Sequence, residues 1–276
     1  MVKNQHYIPQ FYQKYWECER KGYLWTLNKK YSKQGIRQHS IRRNCSDEYT
    51  YEDDIENPDN AFEHWYGVFE TKYAPQYANF INGRFCLQRV SLKQKEMICL
   101  LYAHFSARNK TNVYENTKNR FIASHFTLGF ENKIVDNRCM LNMVALANGG
   151  TIEGTTSGFA KELMTFKMQI LISDKPNIVF SDSIIQQIHY SEEYFFPLCP
   201  TMVARFTKSG ETVDREIKRI TDDEYSRFID LYTTSTYVWQ LFASNKDTLE
   251  EIRKKYIFCC VEIPIPSIHL HSTNKH

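Results

Sequence analysis

The sequence NQHYIPQFYQKYW, residues 4–16, places a histidine, a proline and a cluster of aromatic residues close to the amino terminus. Pro9 disfavours a helical conformation at the residue before it, so His6 and Ile8 are expected in an extended segment. Large aromatic side chains at this density are typical of a protein core. We therefore predict that residues 5–16 form an ordered element packed in the core and not a terminal tail.

The composition of the whole chain is that of a globular protein. Its 276 residues are 42% hydrophobic, 14% aromatic and 24% charged, which differs clearly from the low hydrophobicity and high charge of disordered chains. A chain of this length buries a core without disulfides or metals. We expect one domain over residues 1–276, with a subdivision at the glycine-rich loop of residues 149–158 as the alternative, and a tail ordered only in part at residues 265–276.

The eight cysteines form neither a C-x-x-C pair nor a regular framework. This usage indicates reduced thiols, as in a cytoplasm. The first residues do not resemble a signal peptide, and no apolar run approaches the roughly 20 residues of a membrane-spanning helix. The sequence thus predicts a soluble cytoplasmic protein without a membrane partner.

Charge is unevenly distributed near the amino terminus. Residues 1–44 hold ten Lys or Arg against two Glu, whereas residues 46–70 hold nine acids and no Lys or Arg. The commoner outcome is that such blocks are solvated or neutralise each other. The alternative is a basic surface for nucleic acid or a nucleotide, beside an acidic cluster that holds a cation such as Mg²⁺. Under that alternative, Arg42, Arg43 and Lys110 are the predicted substrate-binding residues.

Residue patterns predict an α+β fold, mainly helical, with a small antiparallel sheet built from strands of both halves. GYLWTLN alternates like a strand, and the extended piece SDEYTY is expected to pair with it. MQILIS and IVFSDS, joined by the turn DKPN, predict a hairpin. The prolines of YFFPLCPTMVARF belong at a sheet edge or a bulge.

Helical spacing marks the remaining elements. Pro75 is expected to end or kink the helix that carries Tyr66, Phe69 and Tyr73. Ser91 is the predicted N-cap of the next helical stretch. Two further helices are predicted at DDEYSRFIDLYTTSTYVWQLFA and DTLEEIRKKY.

Several of these motifs resemble an uncharacterised bacterial family, a domain of unknown function. That family carries an N-terminal HYVPQFYL-like motif, which matches His6 to Tyr12 here, and a later Ser-Asp-Asn-Pro-like motif, which matches residues 181–183 in part. Gln13 stands where the family has Leu, and Ser183 stands where it has Asn. The resemblance implies a shared fold and an occurrence in bacterial genomes and mobile elements, and it implies no activity.

Four residue types in these motifs have the chemistry of a reactive site. His6 is a candidate base, ligand or phosphate contact. Glu63 and Glu70 are seven residues apart on one predicted helical face, where they could hold a cation. Arg108 offers a guanidinium for phosphate, and Asp182 offers a carboxylate at the end of a strand. Three of these candidates also have a structural interpretation: His6 as a hydrogen-bonded histidine, Glu63 and Glu70 as a salt-bridged pair, and Asp182 as a turn-capping aspartate.

Two function classes therefore fit the sequence. The first is a phosphodiester-cleaving effector of a bacterial defence or toxin system, acting on nucleic acid or a nucleotide, in which His6, Glu63, Arg108 and Asp182 are catalytic and Glu63, Glu70 and Asp182 hold the metal. The second is a non-catalytic binding or sensor module with a buried polar network. Convergence of these side chains on one open pocket favours the enzyme, whereas burial with satisfied partners favours the module.

Overall fold

The structure is a computed structural model that describes residues 4–29, 35–48, 61–83, 89–108, 160–183, 193–235 and 238–256. Its strands are β1 Asn4–His6, β2 Tyr23–Asn28, β3 Ile36–Ser40, β4 Ser46–Glu48, β5 Lys167–Ile172, β6 Phe180–Ser181, β7 Glu193–Cys199, β8 Met202–Thr207, β9 Glu216–Arg219 and β10 Gln240–Ala243. Its helices are α1 Gln10–Gln13, α2 Ala61–Asn82, α3 Leu92–Arg108, α4 Asp222–Thr234 and α5 Lys246–Lys255, with a further helical segment at 160–165.

The strands of the described residues form two four-stranded sheets and one strand pair, so the α+β class is confirmed. The first sheet has the order β3-β2-β10-β6 and is antiparallel, with Trp25 opposite Ala243. The second sheet has the order β7-β8-β5-β9, in which β5 and β9 run parallel. The separate pair joins β1 to β4. A single antiparallel sheet was therefore too simple an expectation.

Two predicted strand pairings are wrong. MQILIS and IVFSDS do not form a hairpin, because β5 lies in the second sheet and β6 in the first. The loop between them instead follows the β7–β8 turn, where Ser173 N–H donates to the Thr201 carbonyl and Ile178 N–H donates to the Pro200 carbonyl. The strand at SDEYTY pairs with β1 and not with β2, whose partners are β3 and β10.

The helices agree with the sequence except at two points. Ser91 caps α3 as predicted, since its hydroxyl accepts from Gln94 N–H at 3.2 Å and the Gln94 side chain accepts from Ser91 N–H at 2.8 Å. The preceding helix, however, continues through Pro75 to Asn82. The end of the long segment starting at Asp222 is also different, because its residues QLFA form β10.

The proline-containing strand β7 lies at an edge of the second sheet, as predicted. Its register with β8 shifts between Pro197 and Cys199, and Pro200 lies in the turn that follows. A proline cannot donate to a strand ladder, so an edge with an irregular register accommodates it. The carbonyl groups of this irregular segment are consequently available to donors from other elements.

The amino-terminal stretch is part of the core, which confirms that prediction. Ile8, Tyr12 and Trp16 are each no more than 1% exposed. The Tyr12 ring lies within 6.2 Å of five aromatic rings, which belong to Trp16, Tyr77, Phe105, Phe180 and Phe196. Its hydroxyl donates to the Pro197 carbonyl at 2.7 Å. Tyr77 of α2 donates in the same way to the neighbouring Leu198 carbonyl.

Helix α4 is fixed to the second sheet by a network of charged side chains. Arg205 of β8 donates to Glu224 at 2.9 Å and also pairs with Glu193 of β7. Burial opposes ionisation of Glu224, but its hydrogen bonds to Lys218 and Thr221 hold its pKa below the usual value. Glu224 and Thr221 also form the capping box of α4. These charges are therefore used in holding the helix on the sheet.

Replacing Tyr12 by phenylalanine tests the bond to Pro197 while keeping the ring. The Pro197 carbonyl loses its donor inside the core, so we expect Tyr12→Phe to lower the unfolding free energy by about 1 to 2 kcal/mol. Tyr12→Ala also leaves a cavity and should cost about 3 to 5 kcal/mol. Urea denaturation measures both. Tyr23→Phe, at a half-buried tyrosine of β2, is the control and should change stability by less than about 0.5 kcal/mol. A Tyr12→Phe variant as stable as the wild type contradicts this account.

Candidate functional site

The contact between α2 and α3 contains a buried histidine. His104 of α3 is 0% exposed. Its ring stacks on Phe69 of α2 at a centroid distance of 3.9 Å and meets Tyr66 edge-on at 5.2 Å. An ionisable imidazole thus lies at the centre of an aromatic helix contact.

Both predicted glutamates lie on the same helix as these aromatic residues. Glu63 and Glu70 precede and follow Tyr66 by three and four residues, so all three lie on one face of α2. Both glutamates are half-buried, and Oε2 of Glu63 is shielded from solvent. The helix pair therefore places two carboxylates on the face of α2 that His104 contacts.

Arg108 and Lys110 belong to the same part of the chain. Arg108 is the last residue of α3, one helical turn after His104, and its side chain lies outside the described part of the structure. Lys110 lies wholly outside the described residues. Their predicted roles in binding phosphate therefore stay predictions.

The segment that contains His6 packs on the α2–α3 pair. It ends β1, is 7% exposed, and has its Nδ1 3.5 Å from the side-chain amide nitrogen of Gln10. Phe11, the next residue, packs against Phe105 of α3 at 6.2 Å and Tyr77 of α2 at 5.9 Å. The segment that carries His6 thus packs on the same two helices as the glutamates.

Asp182 lies elsewhere, in the first sheet. It follows β6, and its Oδ1 accepts hydrogen bonds from the N–H groups of Trp239 and Gln240, each at 3.1 Å. Its own N–H donates to the Gln240 carbonyl at 3.2 Å. Burial raises the pKa of Asp182 to about 6, although these backbone bonds and the charge of Lys29 act in the opposite direction. The carboxylate thus holds the start of β10 against β6.

Lys29 holds the same segment from the other side. It follows β2, is 2% exposed, and donates from its ammonium group to the Ser235 carbonyl at 2.6 Å. Its backbone N–H donates to the Trp239 carbonyl at 2.8 Å. Together with Asp182 it fixes both ends of the passage from α4 to β10, which is the structural interpretation of a turn-capping aspartate.

The predicted substrate-binding arginines are at the surface. Arg42 and Arg43 are exposed in a 3-10 turn, Ile41–Arg43, that follows β3. The side-chain amide of the next residue, Asn44, donates to Oε1 of Gln13 at 3.1 Å, and the side-chain amide of Gln13 donates to the backbone carbonyl of Asn44 at 3.3 Å. These two bonds hold the turn against α1. The backbone that carries Arg42 and Arg43 is therefore held in place by hydrogen bonds.

The described residues contain no group of three or more His, Cys, Asp or Glu side chains placed to hold a metal ion. Glu63, Glu70 and Asp182 thus do not form a three-ligand group. Cation binding by Glu63 and Glu70 stays a prediction. Cys18, Cys99 and Cys199 form no disulfide within the described part of the chain, and the reduced state of the thiols stays a prediction.

The family comparison covers the amino-terminal part of the chain. Residues 4–138 match DUF4238, a protein family of unknown function. The predicted resemblance to a domain of unknown function is confirmed by this match. The DUF4238 segment includes His6, the two surface arginines and the α2–α3 pair, whereas Asp182 lies after it. Comparisons with curated proteins and with solved structures give no match. No helix in the described ranges is long and apolar enough to cross a membrane.

His104 is not among the candidate residues predicted from the sequence. The available signal was a histidine within the apolar run MICLLYAHF. A polar ring in the buried stripe of a helix needs a specific environment, and here Tyr66 and Phe69 provide aromatic contacts on two sides. In the sequence, Lys29 is one of the ten Lys or Arg of residues 1–44, and only its burial in the structure distinguishes it from the others.

Asp182→Asn separates the charge of this side chain from its hydrogen bonds. Asparagine keeps an oxygen that accepts from Trp239 and Gln240 but does not ionise. The folded-state pKa of about 6 lies above the model-compound value of 3.8, so ionisation of Asp182 removes stability as pH rises from about 4 to about 6. Relative to Asp182→Asn, the wild type should lose at most about 3 kcal/mol over this range.

Denaturation of both proteins at pH 4 and pH 7 measures this difference, and the other titrating groups cancel in the comparison. Asp182→Ala is the control, because it removes the acceptor oxygen as well and should be less stable than Asp182→Asn at both pH values. A stability difference between wild type and Asp182→Asn that does not change with pH would show that this carboxylate is not perturbed by burial.

Proposed function

We propose that the chain is a non-catalytic binding module for a phosphate-bearing partner. The observation that carries this proposal is the bonding of Asp182, whose Oδ1 accepts two backbone hydrogen bonds from the start of β10. A catalytic carboxylate needs an accessible oxygen for a metal, a water or a substrate. Asp182 follows a strand, as metal-binding acids of nucleases often do, but its hydrogen bonds join β6 to β10.

The surroundings of His6, another predicted acid or base, also support a structural role. His6 is 7% exposed and lies beside Gln10 in a segment packed on the helices. By contrast, Arg42 and Arg43 are exposed, on a turn held by Gln13 and Asn44. Buried polar groups that fix elements and exposed cations on a rigid turn are the combination expected of a binding module.

A second candidate is a phosphodiester-cleaving enzyme, as in a defence or toxin system, with its centre at the α2–α3 pair. The observation that favours it is the position of His104 and Glu63 within one buried helix contact. In this proposal His104 or His6 transfers a proton, Glu63 and Glu70 orient water or hold Mg²⁺, and Arg108 stabilises phosphate charge. In that case the charged groups of the α2–α3 pair would serve catalysis and not the stability of the fold.

His104→Ala separates the two candidates because they predict different losses. A module loses packing, since the imidazole fills the space beside Tyr66 and Phe69, and its unfolding free energy should fall by about 2 to 4 kcal/mol. We expect this result. Glu96→Ala, at an exposed position of the same helix, is the control and should change stability by less than about 0.5 kcal/mol.

Turnover is measured on the same proteins. Purified wild type is incubated with single-stranded and duplex RNA and DNA, and with bis(p-nitrophenyl) phosphate, in the presence of Mg²⁺ or Mn²⁺. The module should cleave none of them. Cleavage by the wild type that disappears in His104→Ala and in Glu63→Gln, with melting temperatures unchanged or raised, would establish the enzyme instead.

A further inference from the structure

We propose that a line of basic side chains on β3 and its neighbouring turns binds single-stranded nucleic acid. This inference rests on the proposed function as a binding module and names its partner. We call this line the basic ridge, and its members are Arg20, Lys21, Arg37, His39, Arg42 and Arg43. All six residues are exposed.

The first part of the ridge is an edge strand. β3 is the outermost strand of the first sheet, with β2 on its inner side. Arg37 and His39 are the exposed residues of its alternating pattern, so they lie on one face of the strand. The spacing of such residues is about 6.6 Å. Arg42 and Arg43 follow directly and extend the line of positive charge.

The second part comes from the tight turn before β2. Ile41 N–H donates to the Gly22 carbonyl at 2.9 Å, directly after the pairing of Tyr23 with Ser40. Gly22 has a φ of 80°, which favours glycine, and its conformation lets the turn reverse beside the arginines. Arg20 and Lys21 therefore lie next to Arg42 on the same end of the sheet.

The ridge differs in its pairing from the basic residues that join elements of the fold through salt bridges. Arg205, Lys218 and Lys95 each pair with a carboxylate. Within the described ranges, Arg37, Arg42 and Arg43 take part in no salt bridge. Five of the six ridge residues are Arg or Lys, and partial desolvation together with the nearby Arg37 lowers the pKa of the sixth, His39. These charges are left for an external anion.

Glu19, the acidic residue that precedes Arg20 in the sequence, is already engaged. Glu19 accepts from the Trp25 indole at 3.0 Å and from the Gln38 amide at 2.6 Å. Its carboxylate is thus held by β2 and β3 side chains. Arg20 lies over the Tyr23 ring at 3.7 Å, which fixes a guanidinium beside an aromatic surface. A guanidinium held on an aromatic ring is a positioned cation for a phosphate, and proteins that bind single strands place such cations along the nucleic-acid backbone.

The shape of the ridge favours a single strand over a duplex. The charges follow one edge of the sheet, so they offer one line of contacts. A duplex presents two phosphate backbones across grooves about 6 or 12 Å wide, and needs cations on both sides or an element that enters a groove. A flexible single strand can follow one curved line with all its contacts made by phosphates. The ridge therefore fits one backbone.

The test compares two triple charge reversals in the full chain. The ridge variant carries Arg37→Glu, Arg42→Glu and Arg43→Glu. The control carries Lys93→Glu, Lys161→Glu and Lys175→Glu, at exposed positions on α3, the 160–165 helical segment and the β5–β6 loop. Both have the same net charge, since each lowers the wild-type value of +3 by the same amount. Fluorescence anisotropy with labelled 20-nucleotide oligo(dT) and oligo(U) measures binding at low and moderate salt.

We expect the ridge variant to bind both oligonucleotides at least about tenfold more weakly than the control. The wild-type affinity should fall with salt with a logarithmic slope of about −2 to −3.5, because each neutralised phosphate of a single strand contributes about −0.7. Equal binding by the two variants would overturn the inference. So would the absence of oligonucleotide binding at low salt.

Four further readouts bear on this inference and on the proposed function. Tighter binding of a 20-base-pair duplex than of the single strand would overturn the partner named here. If the wild type binds inorganic polyphosphate but no oligonucleotide, and the ridge variant loses this binding, the partner named here is also overturned. The proposed phosphate-binding module would then remain. Cleavage of a bound strand would overturn the non-catalytic function and leave the ridge intact. A melting temperature that falls only in the ridge variant would mean that the chain's own acidic residues cover these cations, which also overturns it.

Discussion

The Tyr12 hydroxyl donates a hydrogen bond to the Pro197 carbonyl, and the arrangement of helices and sheets depends on this contact. β7 is an edge strand whose register with β8 shifts after Pro197, so two consecutive carbonyls of this segment are available to tyrosine hydroxyls, one from α1 and one from α2. Burial raises the pKa of Tyr12 and Tyr77 well above the usual value, which keeps both hydroxyls protonated as donors. The Tyr12 ring then contacts Phe105 of α3 and Phe180 of β6. One short amino-terminal helix thereby joins both sheets to both long helices.

The sequence contained enough information for the class of the fold and for most element types, because these follow from local patterns. Aromatic density around Tyr12 predicted a buried opening, and the prolines of β7 predicted an edge. Local patterns did not identify which strands pair with each other. The turn DKPN suggested a hairpin, yet β5 is buried along most of its length and lies between β8 and β9. Which strand covers such a segment is decided by residues far away in the chain, and no short-range signal identifies them.

The helix through Pro75 illustrates the same limit. A proline inside a helix costs about 3 kcal/mol through a lost hydrogen bond and a clash with the preceding turn. Tyr77 and Phe80, which follow it, are buried in the core. Burial of two such side chains contributes about as much as the proline costs. Tertiary packing therefore outweighs the local rule, and a sequence pattern cannot show that without the three-dimensional neighbours.

The candidate residues divide along similar lines. Glu63 and Glu70 were placed on one helical face by their spacing alone, and the structure has them there. Asp182 could not be assigned, because a strand-end aspartate looks the same in a sequence whether it binds a metal or caps a distant backbone. Its partners, Trp239 and Gln240, are more than fifty residues away. His104 is in an apolar run, where a pattern search seeks hydrophobic residues and passes over a single imidazole.

The pairing of β2 with β10 has a consequence for how the protein is made. Lys29 and Ser235, which hydrogen-bond beside this pairing, are 206 residues apart in the chain. Ribosomes add roughly 5 to 20 residues per second, so β2 waits about 10 to 40 seconds for its central partner. During that interval its backbone N–H and C=O groups on that side lack their final partner, and unpaired strand edges promote association with other chains. The DUF4238 segment alone contains neither β6 nor β10. The edge of β2 that faces β10 is therefore completed only after the last part of the sheet has left the ribosome.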